Sequence, residues 1–462
     1  MSTKTTRPTT SPQPATKWFF VIWGGQLISL IGSGLTSFAL SVWVYQSTGS
    51  ATQLALVTLS FYVGIVVMSP LAGSLVDRWN KRIAMIISDS GAALSTLFIA
   101  LLFWSGRLEI WHIYVSVAAN AAFRSIQWPA YASVIARLVP KEQLGRANGL
   151  VQLGRGVGEI ASPVLAGALL PLIQLQGVIL VDFATFLFAV LTLALVRLPH
   201  LAATPAAGIP TAEPGERSLW REAAAGWRYM RQRPGLMGLL LFMSLIGFIY
   251  GMAQVLFIPL VLEFAAETTL GRIMSVGSLG MLVGGGLMSA LGGPKRRVYG
   301  VLGPGFLMGA GLLLIGLRPQ ATLITVAMFL ALFTVPIIAG SDEALWQSKV
   351  SPDIQGRVFA LKNAATTAVL PLASLAAGPL ADYVFEPLLV VDGPLNQSMG
   401  RVIGVGAGRG IGLLFMVLGL VVIFITIAAL LSPRVRHVED ELPDAQPLLE
   451  TATVASFPQT GA

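Results

Sequence analysis

Residues 410–431 read GIGLLFMVLGLVVIFITIAALL and contain no charged side chain. A helical span needs about 20 predominantly apolar residues to cross about 30 Å of hydrocarbon, so this stretch predicts a transmembrane helix. Twelve such runs occupy most of the chain, and because they are continuous rather than alternating they favour helices over a barrel. Their centres lie near Leu30, Gly64, Ser95, Phe123, Gly158, Thr185, Ile249, Met281, Leu312, Leu332, Leu370 and Val421. The predicted fold class is an all-α integral membrane protein.

The composition agrees with a membrane protein and excludes several other classes. Of the 462 residues, 55% are hydrophobic and 11% are charged, whereas a soluble domain carries about 25% charged residues. These values exclude an ordinary soluble enzyme, a disordered chain and a fibrous repeat. The chain contains no cysteine, which excludes disulfides, thiolate metal sites and thiol nucleophiles. Its three histidines lie far apart in sequence, so no metal site is predicted.

The distribution of the basic residues predicts the orientation of the spans. Of the 30 Lys and Arg residues, only Arg124 and Arg155 fall inside predicted spans. When both termini are placed in the cytoplasm, five more lie in the outer loops and all the others lie in cytoplasmic segments. Three of these cytoplasmic residues fall in the loop between spans ten and eleven. This asymmetry follows the positive-inside rule. The net charge of +8 therefore reflects mainly the topology of the spans and, secondarily, an attraction to anionic lipid headgroups. No nucleic-acid partner is predicted.

The chain divides into two similar halves joined by a polar linker. The segments ARLVPKEQLGRANGL (136–150) and QSKVSPDIQGRVFAL (347–361) share Pro, Gly, Arg and the final Leu when one residue is gapped. Six spans followed by six spans in parallel repeat, as two six-helix bundles, are typical of secondary transporters. The predicted domains are a cytoplasmic N-terminal tail (1–17), a six-helix bundle (18–197), a cytoplasmic linker (198–235), a second six-helix bundle (236–432) and a cytoplasmic C-terminal tail (433–462).

The linker ends in RSLWREAAAGWRYMRQRPG (217–235), where apolar and basic residues follow a helical pattern. Trp220, Ala224, Trp227 and Met230 recur at helical spacing with arginines between them. This pattern predicts an amphipathic helix that lies on the inner membrane surface. A solvated connector with incidental tryptophans is the alternative interpretation.

The turn between spans two and three reads GSLVDRWNKR (73–82), a short loop with a basic cluster. It resembles the signature loop of the major facilitator superfamily, Gly-x-Leu-x-Asp-Arg-x-Gly-Arg-Arg/Lys. Asn80 replaces the second glycine of that motif, as one of the few residues other than glycine that tolerate a left-handed conformation. The resemblance implies that the loop locks the cytoplasmic side, with Asp77 and Arg78 as the latch; a positive-inside loop alone is the alternative. The predicted gate motif comprises Gly73, Asp77, Arg78, Lys81 and Arg82.

Span five matches the spacing of the antiporter motif of the same superfamily, with small residues at every position. The resemblance implies export by antiport rather than uptake, and generic packing of small residues is the alternative. The motif positions are Gly149, Gly158, Ser162, Pro163, Ala166 and Gly167.

Charged residues inside the spans are candidates for proton coupling, because a buried charge is costly and needs a partner or a wet cavity. Arg124 and Gln127 resemble the Arg-x-x-Gln-Gly motif of proton-coupled members, with Trp128 in place of the glycine. That resemblance implies a part for Arg124 in proton transfer. A structural arginine bound to helix-end carbonyls is the alternative.

Two acids in the spans are the predicted proton carriers. Glu159 is the first candidate, since it lies one turn from Arg155 and near the depth of Arg124. Asp182 in span six is the second. Asp342 and Glu343, near the inner end of span ten, are interpreted as stabilising a closed gate, and Asp89 as structural.

Several side chains are predicted to line a substrate cavity for bulky apolar compounds. Contact with lipid or with neighbouring helices is the alternative for each of them. The candidates are Gln127, Trp23, Phe61, Tyr62, Phe248, Tyr250, Phe257 and Phe333.

Over residues 18–432 the chain resembles the macrolide-efflux branch of the major facilitator superfamily. The resemblance implies a multi-pass protein of the bacterial inner (cytoplasmic) membrane that exports hydrophobic or amphiphilic compounds, such as macrolide-like drugs, siderophores or a secreted metabolite, by proton antiport. It is expected to act as a monomer in the lipid bilayer on a small-molecule substrate, with the proton gradient as energy source and no cofactor. Lipid or lysophospholipid transport and proton-coupled symport are the alternatives. The chain has no P-loop motif for an ATP-driven pump and no arrangement of catalytic residues, so no enzymatic activity is predicted.

Overall fold

The computed structural model describes residues 14–140, 143–195, 219–391 and 393–441, and this part of the chain is helical almost throughout. A π-helical turn (Leu380–Phe385) and a short 3-10 turn (Glu386–Leu388) continue from α11. The helices are α1 (Pro14–Thr48), α2 (Ala51–Arg78), α3 (Lys81–Trp104), α4 (Ile110–Leu138), α5 (Leu144–Leu195), α6 (Leu219–Arg231), α7 (Pro234–Leu262), α8 (Glu267–Leu291), α9 (Arg297–Leu317), α10 (Ala321–Lys349), α11 (Pro352–Pro379), α12 (Gly400–Ile403), α13 (Arg409–Leu431), α14 (Pro433–Arg436) and α15 (Val438–Glu441).

The all-α membrane class predicted from the apolar runs is confirmed. Within the described ranges, 10 helical segments are long and apolar enough to cross a membrane. One of them, α5, is 52 residues long and is broken at Gln174, where φ is 57°. The break separates an arm ending at Gln174 from an arm beginning there, and these arms carry the predicted spans five and six. The 29-residue α4 carries the predicted span four, although its polar residues keep it out of the set of 10.

The described chain divides into two compact units. Unit 1 consists of α1 to α5 together with Ala266–Ser275, the first part of α8. Unit 2 consists of α6, α7, the rest of α8 from Val276 onward, and α9 to α15. The predicted N-terminal tail, the first part of the linker and most of the C-terminal tail lie outside the described residues.

Close helix approaches hold unit 1 together. α1 packs along both arms of α5, while α4 packs between α2 and α3. Gly32 of α1 faces Thr185 of α5, where any Cβ would overlap the threonine hydroxyl. Gly64 of α2 likewise faces the Ala118 carbonyl of α4. Small residues of this kind let helix backbones approach one another in a lipid environment.

The turn between α2 and α3 differs from its predicted conformation. Asn80 is extended, with φ −60° and ψ 121°, instead of left-handed. Its side chain accepts a hydrogen bond from the Arg82 amide at 3.0 Å and so caps α3, a role that requires an extended backbone. The Arg82 guanidinium donates to the Ala194 carbonyl of α5. The side chains of Asp77 and Arg78 lie outside the described residues.

The C-terminal end of the described chain is fastened to the start of α9 in unit 2. The Glu439 carboxylate accepts hydrogen bonds from the backbone amides of Arg297, at 3.1 Å, and Val298, at 3.0 Å. Lys349 at the end of α10 donates to the Glu439 carbonyl at 2.6 Å. An acid at a helix N-terminus satisfies otherwise unpaired amides and the helix dipole. The loop GGPKRRVYG (292–300) contains no acidic residue of its own. Glu439 therefore supplies the carboxylate that accepts the hydrogen bonds of the first amides of α9.

The neighbouring Asp440 has a second set of partners. Its carboxylate lies 3.1 Å from His437 Nδ1 and 3.6 Å from an Arg296 guanidinium nitrogen. The hydrogen bond with His437 lowers the pKa of the Asp440 carboxyl, and the nearby charge of Arg296 acts in the same direction. The C-terminal segment thus adds a charged contact to its backbone contacts with α9.

Candidate functional site

Unit 1 contains a cavity of about 200 Å³ between α1, α3, α4 and α5. This volume is smaller than the roughly 300–1,000 Å³ of sites for drug-sized ligands, so the cavity suits ions, water or part of a larger molecule. Apolar walls and polar groups face one another across it. Its aromatic lining is Trp23, Trp128, Tyr131, Phe183 and Phe186, and its charged lining is Asp89, Arg124, Arg155 and Asp182.

Asp89 forms the centre of a polar network in this cavity. Its side chain is 5% exposed, and one carboxylate oxygen accepts a hydrogen bond from the Gln26 amide at 3.1 Å. The Gln127 amide donates both to the other carboxylate oxygen and, at 2.7 Å, to the Gln26 oxygen. The helices α1, α3 and α4 therefore each contribute one side chain to this hydrogen-bond network. The sequence interpretation of Asp89 as merely structural overlooked that Gln26 and Gln127 are also polar groups inside spans.

Asp182 is the second buried acid of the cavity. It is 7% exposed, and its carboxylate accepts a hydrogen bond from the Ser33 hydroxyl at 3.3 Å. Arg124 lines the cavity together with Asp182 and Asp89. Its positive charge therefore lies in the same cavity as two buried carboxylates from different helices. When both acids are ionised, these three groups carry one uncompensated negative charge.

Arg155 and Glu159 lie one turn apart on α5 but have different surroundings. The Arg155 guanidinium stacks on the Trp128 ring, 3.7 Å from its centroid, and lines the cavity. Such stacking stabilises a cation beside an aromatic face, so Trp128 has a partner where the family motif has glycine. Glu159 interacts electrostatically with Arg155 but is exposed and is not part of the lining. The cavity therefore brings together Arg124, Arg155 and Asp182 without Glu159.

The antiporter motif of α5 divides between two neighbouring segments of unit 1. Ser162 donates to the Ile31 carbonyl of α1 at 3.2 Å, and Gly158 lies beside Leu30. On another side, Pro163 and Gly167 contact the start of α8. Gly271 of α8 has no room for a Cβ because the Pro163 carbonyl occupies the space. Ala166 is fully buried, and Ser275 of α8 adds a hydrogen bond to the Ile160 carbonyl at 2.6 Å.

Two glycines of this motif provide a matched test of the α5 packing. In Gly167→Ala the new methyl would lie 2.7 Å from the Glu267 carbonyl oxygen, and overpacking of this kind costs about 1–3 kcal/mol. In Gly149→Ala nothing lies within 4 Å of the new methyl, and helix propensity favours alanine by about 1 kcal/mol. Thermal unfolding in detergent is expected to show a lower Tm for Gly167→Ala and an equal or higher Tm for Gly149→Ala. Equal effects of the two substitutions would contradict the packing described.

The other predicted lining residues lie in several places. Trp23 and Gln127 line the unit 1 cavity, and Trp23 also donates to the Leu150 carbonyl at 3.0 Å. On α2, Phe61 and Tyr62 pack edge to face with ring centroids 5.7 Å apart, outside the cavity lining. The remaining candidates belong to unit 2, on α7 and α10: Phe248, Tyr250, Phe257 and Phe333.

Unit 2 contains an ion cluster whose two acids, Asp342 and Glu343, were noted in the sequence, whereas its cation, Lys362, was not. The Lys362 ammonium of α11 lies 2.7 Å from an Asp342 carboxylate oxygen and 2.9 Å from a Glu343 oxygen. The side chains of Lys362 and Asp342 are only 6% and 3% exposed. Trp346 donates to the other Asp342 oxygen at 3.0 Å. The charge count assigned Lys362 to the loop between spans ten and eleven, whereas it is buried inside α11.

In the part of the chain that the structure describes, no group of three or more His, Asp or Glu side chains is arranged to hold a metal ion. The polar chemistry of the unit 1 cavity consists instead of carboxylates, guanidinium groups and amides. Of these, carboxylates can exchange protons, while guanidinium and amide groups bind charged or hydrogen-bonding ligands.

Comparison with known proteins identifies the family. Residues 22–374 match the profile of the Major Facilitator Superfamily. Macrolide efflux protein A of Streptococcus pyogenes is 29% identical over 370 residues, which cover 79% of this chain and 90% of that protein. The multidrug efflux pump Tap of Mycolicibacterium fortuitum is 25% identical over 362 residues, which cover 76% of this chain and 86% of that protein.

A solved structure shows the same fold. It is that of a bacterial homologue of the human lysosomal transporter Spinster, in an inward-facing and unoccupied conformation. It superimposes with a TM-score of 0.68 at 15% sequence identity, covering 94% of this chain and 99% of that one. These findings confirm the prediction that the chain resembles the macrolide-efflux branch of the superfamily. They also confirm the prediction of a transporter rather than an enzyme. The chain belongs to the Major Facilitator Superfamily and is a transporter similar to the macrolide efflux proteins.

Proposed function

We propose that this transporter exports hydrophobic or amphiphilic small molecules across the bacterial inner membrane by proton antiport with alternating access. The observation that carries the proposal is that Arg124 lines the unit 1 cavity together with the buried acids Asp89 and Asp182. The names of the relatives, which include macrolide and multidrug efflux proteins, support the direction of transport.

The proton exchange follows from the charges of this trio. The second cation of the lining, Arg155, is stacked on Trp128 and interacts with Glu159, so with both aspartates ionised Arg124 compensates only one of them. A proton taken up by the other aspartate makes Arg124, Asp89 and Asp182 neutral together. An uncompensated carboxylate costs free energy in a medium of low dielectric constant, so this carboxylate favours binding of a proton, which neutralises it. Release of the proton restores the charge and moves the guanidinium back toward the acid that becomes ionised. Antiport requires a cycle between two charge states of this kind.

The acid that exchanges the proton is proposed to be Asp182 or Asp89, since both are buried beside Arg124. Glu159, paired with Arg155 on α5, is the candidate from sequence and is retained as the alternative carrier. Its exposed position, outside the cavity lining, gives it less desolvation than the two aspartates have.

The apolar walls of the cavity support the proposed substrate class. Trp23, Trp128, Phe183 and Phe186 offer aromatic faces, while Gln26 and Ser33 offer hydrogen bonds. Aromatic rings of this type provide large apolar contact areas for ring-containing ligands. A molecule with an apolar body and a few polar groups fits such a lining.

The proposed topology has twelve spans with both termini in the cytoplasm, in a protein that acts as a monomer. The 10 apolar segments, the break that gives α5 two arms and the 29-residue α4 support the count. The predicted bundles at 18–197 and 236–432 and the latch formed by Asp77 and Arg78 remain part of this proposal. The charge asymmetry of the loops supports the orientation.

Transport by purified protein in vesicles tests the proposal. An imposed pH gradient is expected to drive accumulation of a lipophilic fluorescent dye, and a protonophore is expected to abolish it. Asp182→Asn or Asp89→Asn is expected to reduce proton-driven accumulation tenfold or more, because a lost charge interaction of about 1.4 kcal/mol is a factor of ten. Dye exchange without a gradient is expected to continue in these variants.

Glu159→Gln provides the comparison for this experiment. If Asp182 and Asp89 exchange the proton, Glu159→Gln keeps proton-driven accumulation within about twofold of wild type. Loss of coupling in Glu159→Gln alone, with normal coupling in both aspartate variants, would transfer the role to Glu159. Normal coupling in the double variant Asp89→Asn/Asp182→Asn would overturn the proposed site.

A further inference from the structure

The amphipathic helix α6 is docked against the beginning of α11 in unit 2. Its Gly226 faces the Arg357 carbonyl of α11, which would lie 3.2 Å from a Cβ at this position. Met230 on the same face is fully buried. Elsewhere on the helix Trp227 is 49% exposed, and Arg228 and Arg231 are exposed; of these, Arg228 borders the junction with α11. The predicted helix of the linker therefore has one face packed on protein and one face available to other partners.

A groove of about 200 Å³ lies where α6 meets α11. It is lined by Gly226, Arg228, Tyr229, Gln232, Ile354 and Arg357. Two guanidinium groups, an amide and a phenol ring thus surround one small space. Arg groups bind the oxygens of phosphate through paired hydrogen bonds, and a guanidinium that already has one partner keeps further N–H donors for this purpose.

The aromatic wall of the groove is held in place by its neighbours. The Tyr229 hydroxyl donates to the Lys349 carbonyl at the end of α10, at 3.4 Å. The Arg233 guanidinium stacks on the Tyr229 ring, 3.5 Å from its centroid, and donates to the Tyr229 carbonyl at 3.2 Å. Arg233 therefore adds a third cation next to the groove. A site whose walls are fixed before binding loses less entropy when it takes up a ligand.

The groove lies at the depth where two spans begin. α7 starts at Pro234, three residues after the end of α6, and the apolar part of α11 follows its first turns. An exposed tryptophan beside arginines at a span end is typical of the membrane interface. Clusters of basic side chains at this level on the predicted cytoplasmic side meet the headgroups of anionic lipids.

We propose that the groove between α6 and α11 binds the phosphate of an anionic phospholipid headgroup, with Arg228 and Arg357 as its ligands and Gln232 as an additional donor. The apolar chains of the lipid then lie along the membrane-facing surface, next to Trp227. This site is separate from the unit 1 cavity and does not depend on the mechanism proposed for transport.

Native mass spectrometry of the detergent-purified full chain tests the site directly. Titration with phosphatidylglycerol is expected to give bound lipid, whereas phosphatidylcholine, whose headgroup has no net charge, is expected to bind at least tenfold more weakly. Arg228→Ala/Arg357→Ala is expected to weaken phosphatidylglycerol binding about 25-fold, since each basic residue near an anionic surface contributes about a factor of five. Arg231→Ala is the matched control: Arg231 is exposed on the same helix but does not line the groove, so its loss is expected to weaken binding no more than about fivefold, as for one basic residue near the surface.

Further arms of the experiment separate the possible results. Arg228→Lys/Arg357→Lys keeps the charge and is expected to retain more binding than the alanine pair, which guards against misfolding as the cause of a loss. Equal Tm values for wild type and variants are the second safeguard. Displacement of the lipid by millimolar inorganic phosphate would identify a free-anion site and overturn the lipid assignment. Unchanged phosphatidylglycerol binding in the alanine pair would overturn the site itself.

Discussion

Arg124→Met is expected to abolish proton-driven transport while leaving the protein folded in the membrane. Arg124 lines the cavity with both Asp89 and Asp182, and without it the only cation left in that lining is Arg155, which is stacked on Trp128. Removing one partner of a buried ion pair costs about 3–5 kcal/mol if the charge persists. The acids avoid this cost by keeping their protons, so they no longer release them on either side. A loss of at least about 100-fold in the proton-coupled rate is expected, since 1.4 kcal/mol is a factor of ten.

Two variants make this result interpretable. Arg124→Lys preserves the positive charge and is expected to keep measurable coupling. Arg107→Met removes a guanidinium from the exposed turn between α3 and α4 and is expected to transport as wild type does. The measurement compares two rates in vesicles: dye accumulation driven by a pH gradient and dye exchange without a gradient. Proton-driven accumulation by Arg124→Met at the wild-type rate would show that the shared cation has no part in coupling.

The fold was readable from the sequence because a lipid solvent imposes strict requirements. Uncharged runs of span length, such as 410–431, have few alternatives to a transmembrane helix. The loop GSLVDRWNKR (73–82) and the spacing in span five then led to the superfamily. By contrast, the break of α5 at Gln174 and the assignment of the start of α8 to unit 1 depend on packing that no local pattern encodes.

The candidate site was only partly predictable for the same reason. Arg124, Asp182 and Arg155 were identified because single charges within apolar runs stand out. The polar network around Asp89 was not predicted, because its partners Gln26 and Gln127 lie on two other helices and meet it only in the folded protein.

Lys362 was missed for a different reason. It follows a basic loop, and a count of charges by loop cannot separate a lysine at the membrane surface from one that enters the helix bundle. Its burial depends on Asp342 and Trp346 of α10 being opposite it. The available signal was a lysine that follows an acid near the end of the neighbouring span by 19 residues and lies on a helix that begins with proline.

Lys362→Met is expected to be the most destabilising single substitution in unit 2. It leaves Asp342, 3% exposed, without its cation at 2.7 Å, and it also removes the partner of Glu343 at 2.9 Å. Breaking one side of a buried pair costs about 3–5 kcal/mol, because the remaining charge stays desolvated. Thermal unfolding in detergent is expected to show a clear decrease in Tm. Lys295→Met, which removes an exposed lysine from the loop before α9, is the matched control and is expected to leave Tm unchanged.

The double variant Lys362→Met/Asp342→Asn separates loss of a pair from loss of packing. Removing both charges leaves no ion to desolvate, and replacement of a whole buried pair is often neutral. The Trp346 indole still has an amide oxygen to donate to, in place of the carboxylate that it contacts at 3.0 Å. The double variant is therefore expected to recover most of the Tm lost by Lys362→Met. A double variant as unstable as the single one would mean that Lys362 stabilises α10 against α11 through its alkyl chain and the rings of Trp346 and Phe359, rather than through its charge.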